Sequence, residues 1–153
     1  MEELNGWQGK FDVFIKQNDE WIHDKTINNT ITDNGLNFFR DCLRGTVTDA
    51  QLKYIAVGTS STAVSTTDSQ LGNEVFRKAI YSRTAGTTGQ CISIGILEDT
   101  EANYSIAEIG IFAGTTASAT ANSGIMISRV LYSRVKSSLE SIQIQRTDTI
   151  GRL

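Results

Sequence analysis

The sequence predicts a mainly β chain, an antiparallel β-sandwich or barrel-like domain with one α-helix and an N-terminal β-hairpin. Three observations carry this reading. Several short runs rich in Ile, Val, Tyr and Thr alternate apolar with polar residues, the period of a strand with one buried face. Only one stretch has both helix start and helix stop signals. The chain holds 13 glycines and no proline, and Ser/Thr-rich stretches separate its runs without any strand–helix–strand alternation.

Taken in order, residues 10–17 (KFDVFIKQ) place Phe11, Val13 and Ile15 at alternate positions, and Gln17-Asn18-Asp19-Glu20 supplies turn formers before Trp21-Ile22 resumes the pattern. That is a hairpin. Residues 32–44 read as the helix, with Thr32 as N-cap, Asp33 suited to the positive first turn and Gly45 as the stop. Leu36, Phe39 and Leu43 share one face, with Cys42 or Phe38 beside them, and this stripe is expected to pack on a sheet. Residues 51–58, 74–83, 90–97, 105–112, 124–136 and 139–147 read as strands, and residues 67–71 as a further helical turn. A chain of 153 residues is the size of one domain. Within it, residues 1–29 form the hairpin or attachment segment and residues 30–149 the β-rich core.

Composition narrows the function classes. A net charge of -3 argues against a grip on nucleic-acid phosphates and against an anionic membrane. No apolar run nears the ~20 residues that span a bilayer, so no membrane insertion is expected. The start MEELNGWQGK is acidic and polar where a cleaved leader is basic and then apolar, so no leader is expected. Cys42 and Cys91 lack metal-type spacing and read as separate thiols in a reducing compartment. With no leader expected, the Asn28-Asn29-Thr30 and Asn103-Tyr104-Ser105 matches to a glycosylation pattern read as coincidence.

Catalytic chemistry finds little purchase. His23 is the only histidine, so any imidazole-based triad would have to be built on it, and its polar setting reads as an exposed strand. A zinc site needs about four ligands, and none is expected. Gly58 precedes Thr/Ser residues without the lysine and helix of a phosphate cradle. Glu98-Asp99-Thr100-Glu101 lacks the ordered spacing of a calcium loop and reads as a solvated turn. No motif brings Glu74, Glu108 or these acids together as a hydrolytic pair. No cofactor and no catalytic residue are assigned.

Two sets of residues stand out as architecture. Alternation puts Glu108 on the face of Ile106 and Phe112, so that face is either solvated or Glu108 is buried with a cation such as Arg77 or Arg129. The pair Glu108 with Arg77 is the one carried forward. Trp7, Phe11, Phe14 and Trp21 concentrate aromatic surface in the first segment, and alternation sends Phe11 and Phe14 to opposite faces. They are the expected intersubunit contact, the alternative being that they cover the sandwich edge.

The run Thr32-Asp33-Asn34-Gly35-Leu36-Asn37 is followed by Ile55-Ala56-Val57-Gly58-Thr59 and by Leu71-Gly72-Asn73-Glu74-Val75-Phe76-Arg77-Lys78. Ala107-Glu108-Ile109-Gly110-Ile111-Phe112 and Ile127-Ser128-Arg129-Val130 complete the series. Together they resemble a family of tailed-bacteriophage tail-fibre, tail-collar and baseplate-type structural proteins. That family carries T-D-x-G-L, I-x-x-G-T-G-T, L-x-x-E-x-x-R and E-I-G-L-F segments in this order. The likeness runs over residues 30–149, with Gly58-Thr59-Ser60-Ser61-Thr62 standing where the family has G-T-G-T. The resemblance implies a non-enzymatic virion component assembled in the host bacterial cytoplasm. It also implies self-association as a trimer or hexamer, other tail or capsid proteins as partners, and a host surface receptor or glycan as a further one. Two alternatives stay open, a capsid-decorating or neck protein, and a host-glycan-binding module using Trp7, Trp21, Tyr81 or Tyr132.

Overall fold

Nine strands and one helix follow the chain in the computed structural model, which describes residues 6–152. The first five residues of the acidic start lie outside the described residues. The strands are β1 (Trp7–Gln17), β2 (Glu20–Asn29), β3 (Leu52–Gly58), β4 (Glu74–Ala79), β5 (Ser82–Ala85), β6 (Gln90–Leu97), β7 (Ser105–Ala113), β8 (Ile125–Val135) and β9 (Ser141–Ile150), and the helix is α1 (Asp33–Leu43). They form two antiparallel sheets, a five-stranded one in the order β2-β1-β9-β6-β5 and a four-stranded one in the order β4-β3-β7-β8. The mainly β, sandwich-like class and the N-terminal hairpin are as expected.

The hairpin belongs to its own domain's sheet, with β1 hydrogen-bonded between β2 and β9. Asn18 and Asp19 have φ of 52° and 60°. This is the left-handed two-residue turn whose twist matches the strands. Phe11, Val13 and Ile15 point inward and meet Ile55, Ile109, Ile111 and Ile144 in the main core. Phe11 is therefore wholly buried and corrects the expectation that it contributes to an intersubunit surface.

The run read as one strand over residues 74–83 breaks in two because it changes sheets. The Ile80 amide donates to the Lys53 carbonyl in the four-stranded sheet, and the next amide, Tyr81, donates to the Ile94 carbonyl in the five-stranded one. The two layers are thus stitched along one side. On the other side the Tyr132 hydroxyl of β8 donates to Asp24 of β2 at 2.6 Å.

Thr32 caps α1 as predicted. Its Oγ1 accepts from the Gly35 amide at 2.9 Å and donates to the Met126 carbonyl at 2.7 Å, which ties the helix start to β8. Gly45, with φ of 75°, ends the helix in the left-handed conformation glycine favours. The buried face is not the one expected, however. Gly35 and Phe38 are buried, while Leu36 and Leu43 are 51% and 76% exposed and Phe39 is also exposed. Gly35 decides this, since a Cβ there would lie 2.9 Å from the Ile127 carbonyl oxygen. The backbone contact is close only on that face. Residues 67–71 form no helical turn but part of a loop laid across the four-stranded sheet.

Candidate functional site

Both faces of the four-stranded sheet are covered. A β-bulge between Ile106 and Glu108 breaks the strict alternation, so Ile106 turns into the main core while Glu108 and Phe112 face outward. That outward face is roofed by residues 59–73 and 114–124, two loops without regular structure. Leu71, Ala56, Phe112 and Met126 form a small second core beneath them.

Buried ion pairs hold the roof. The Arg129 Nε donates to Glu108 Oε2 at 2.5 Å, and Glu108 also accepts from the amides of Gly72 (2.9 Å) and Asn73 (2.8 Å). Arg129 extends the clamp to the Thr62 carbonyl at 2.9 Å and to Asp68 at 3.4 Å. Gly58 and Gly72 leave room for the carboxylate, which a side chain at Gly58 would displace. Burial alone would raise the Glu108 pKa, but the Asn73 amide, the Arg129 guanidinium and the Gly72 amide outweigh it and hold the carboxyl below its ordinary value.

The expected Glu108 with Arg77 pair does not form. In the order β4-β3-β7-β8, β3 separates Arg77 from Glu108, whereas Arg129 stands on the adjacent strand beside Gly110. Arg77 instead binds Glu74 through two contacts of 2.8 Å, lies 4.5 Å over the Phe112 ring and donates to the Ser118 and Ser123 carbonyls, so it pins the second loop. Glu74 and Glu108 therefore each serve a separate arginine. The resemblance-bearing segments all meet here or beside it, through Thr32 and Gly35 on β8, Gly58 and Gly72 around Glu108, and the Glu74 and Arg77 pair.

A further buried ion pair, Arg146 with Asp148, lies on β9. They continue the inward alternation of Ile142 and Ile144, which was legible in the sequence. Arg146 is wholly buried, 4.7 Å from the Phe11 ring, and bonds Asp148 Oδ1, Ser128 Oγ and Asn29 Oδ1. Trp7 donates its indole N–H to the same Asp148 oxygen at 2.9 Å. Asp148 Oδ2 has no hydrogen-bond partner among the described residues.

Trp7 and Asp148 form one wall of an open groove of about 680 Å³ between α1 and the end of the five-stranded sheet. Phe38, Phe39, Leu52, Ala85 and Ile150 give it apolar walls, with Trp7 and Phe39 rings 5.7 Å apart. Cys42 and Cys91, distant in sequence, share it, both as free thiols. Arg83 stands at its edge strand, its Nε donating to the Leu52 carbonyl at 2.6 Å. Beside the groove the outward stripe of α1, Leu36 and Leu43, extends the apolar surface.

The remaining aromatic residues are dispersed. Phe14 lies on the outer face of the five-stranded sheet, edge-on to His23 at 5.3 Å, and Trp21 is exposed near Lys16 at 5.7 Å. Ile92, Ile94 and Ile96 share that outer face, half-buried. Tyr132 is buried and Tyr81 exposed. Trp7 and Trp21 stand at opposite ends of the β1–β2 hairpin, so the structure does not assemble Trp7, Trp21, Tyr81 and Tyr132 into one platform. His23 sits exposed with its Nε2 beside Thr26 and Asp12.

Compared with protein-family models, curated proteins and solved structures, the chain matches none.

Proposed function

We propose that this chain is a non-enzymatic structural component of a bacteriophage virion, a tail, fibre, baseplate or collar protein that acts through homo-oligomeric and protein–protein contacts. The observation that carries the reading is the apolar surface at the helix end of the sandwich, where Leu36, Phe39 and Leu43 face outward beside an apolar groove. Contiguous exposed apolar surface of this kind marks interaction sites. The sequence resemblance supplies the virion context. Its motif residues serve architecture, capping α1 and pinning loops to the sheet, which suits a subunit that works by its surfaces.

The test is the solution mass of the purified chain by light scattering across a concentration series. A trimer or hexamer is the expected result. A chain that stays at 16.7 kDa at every concentration overturns the homo-oligomeric reading.

A further inference from the structure

Helix α1 carries two apolar faces, and the fold uses one of them. Gly35 and Phe38 turn inward, Gly35 against the backbone of β8 and Phe38 into the main core. Leu36, Phe39 and Leu43 form the other, 51%, 39% and 76% exposed. At about 100° per residue they fall within an arc of about 60°, a narrow apolar stripe three turns long.

The two flanks of the stripe differ. On one lies the groove, with Phe39 and Cys42 in its wall, so apolar surface continues from the stripe into the groove. On the other stand Asp33, Arg40 and Arg44, all exposed. Their signs are sorted along the axis, Asp33 in the first turn, Arg40 in the last turn and Arg44 at the C-cap. Asp41 binds both arginines within the chain, but Arg44 by one contact of 3.2 Å that leaves its side chain 62% exposed. A helix face with its acid at one end and its bases at the other is complementary to its own reverse.

We infer that this stripe is covered by α1 of a second copy of the chain, packed antiparallel about a two-fold axis beside Phe39. This rests on the reading of the chain as a self-associating assembly subunit and names the contact. With Phe39 opposite its counterpart, Leu36 comes within one residue's rise, about 1.5 Å along the axis, of the partner's Leu43. Asp33 comes equally close to the level of the partner's Arg44. Such an axis brings like flanks together, so two Asp33 to Arg44 pairs form on one side of the stripe and the two grooves adjoin on the other. Helix dipoles also oppose favourably. Parallel packing about a two-fold axis would instead lay the charged flank of each copy on the apolar groove of the other, which buries unpaired charge. The contact is isologous and gives a dimer, or a larger even-numbered assembly such as a hexamer where a three-fold contact adds to it.

Light scattering of the full chain tests the contact. Wild type should have an even-numbered mass, and Leu43→Asp should halve it. Asp33→Lys and Arg44→Glu each set like charges across the axis and should raise the dissociation constant about tenfold or more. The double variant restores two opposite pairs and should recover the wild-type mass. These positions are exposed, so circular dichroism should be unchanged, and Leu36→Asp replaces Leu43→Asp if that chain fails to fold. In samples dilute enough to be monomeric, substitutions in the stripe should leave the melt unchanged, because the core uses the other face of α1.

Three results overturn the α1 contact and leave the assembly reading standing. They are a wild-type trimer, an assembled mass that neither Leu43→Asp nor Leu36→Asp lowers, and a double charge variant that assembles no better than its single parents. A wild type that is monomeric at every concentration removes both readings.

Discussion

Arg129 on β8 donates to Glu108 on β7 at 2.5 Å, with both side chains shut from water at 2% and 0% exposure. The remaining valences of the carboxylate go to the Gly72 and Asn73 amides, so one side chain joins two strands to a fifteen-residue loop, residues 59–73. Removing one member of a buried pair leaves an uncompensated charge, which costs roughly 3–5 kcal/mol. Glu108→Gln and Arg129→Met should each show losses of that order in denaturant melts. The double mutant should lose much less than their sum. The same cycle on Glu108 and Arg77 should give no coupling beyond additivity, about 0.5 kcal/mol, because their hydrogen bonds share no partner.

The pH dependence follows from the depressed Glu108 pKa. A carboxyl whose pKa is lower folded than unfolded contributes stability that is fully present above the unfolded value, about 4.3. That contribution is lost as pH falls through the folded value. Equilibrium melts should therefore be flat in this group's contribution near neutrality and weaken below about pH 4.3, and the Glu108→Gln chain should have a shallower acid limb. An equally steep limb in the variant would show that other carboxylates govern acid unfolding.

The helix offers a test of which face is structural. Phe38→Ala should cost about 3–5 kcal/mol, as for other buried aromatic residues. Leu36→Ser and Leu43→Ser should stay within about 0.5 kcal/mol, as at other exposed positions. Gly35→Ala gains up to ~1 kcal/mol of helix propensity, yet its methyl group would press on the Ile127 backbone. Its melting temperature should fall.

The two thiols in the groove should react unequally. Burial first, and Asp41 second, raise the Cys42 pKa, whereas Cys91 is exposed at the groove wall. Reaction follows thiolate fraction and access. Titration with a maleimide should label Cys91 rapidly and Cys42 slowly, which mass spectrometry of peptides resolves. A bulky label on Cys91 fills part of the groove and should lower the assembled mass in light scattering.

Sequence alone determined the strand-rich class, the hairpin turn at Asn18 and Asp19, and both ends of α1, because each depends on neighbours within a few residues. Thr32 reaches the amide three positions on, and Gly45 adopts its left-handed φ locally. Alternation also carries Phe11, Val13 and Ile15 to the core, and the same period takes Ile142, Ile144, Arg146 and Asp148 inward although two of them are charged. What the tertiary structure decided was every choice that depends on strand order and on close approach between distant segments. Helical periodicity placed Leu36, Phe39 and Leu43 together but could not tell that the Cβ-free Gly35 would draw its own side of the helix, with Phe38, onto Ile127. The register shift between Ile106 and Glu108, opposite an extra residue on β8, sends these two alternate residues to different sides of the sheet. The partner of Glu108 was set by which strand lies next to β7, and Cys42 met Cys91 only because α1 and β6 border one groove. Local chemistry acts over one turn of chain, whereas these pairings come from packing two sheets, a long-range condition that no short stretch of residues contains.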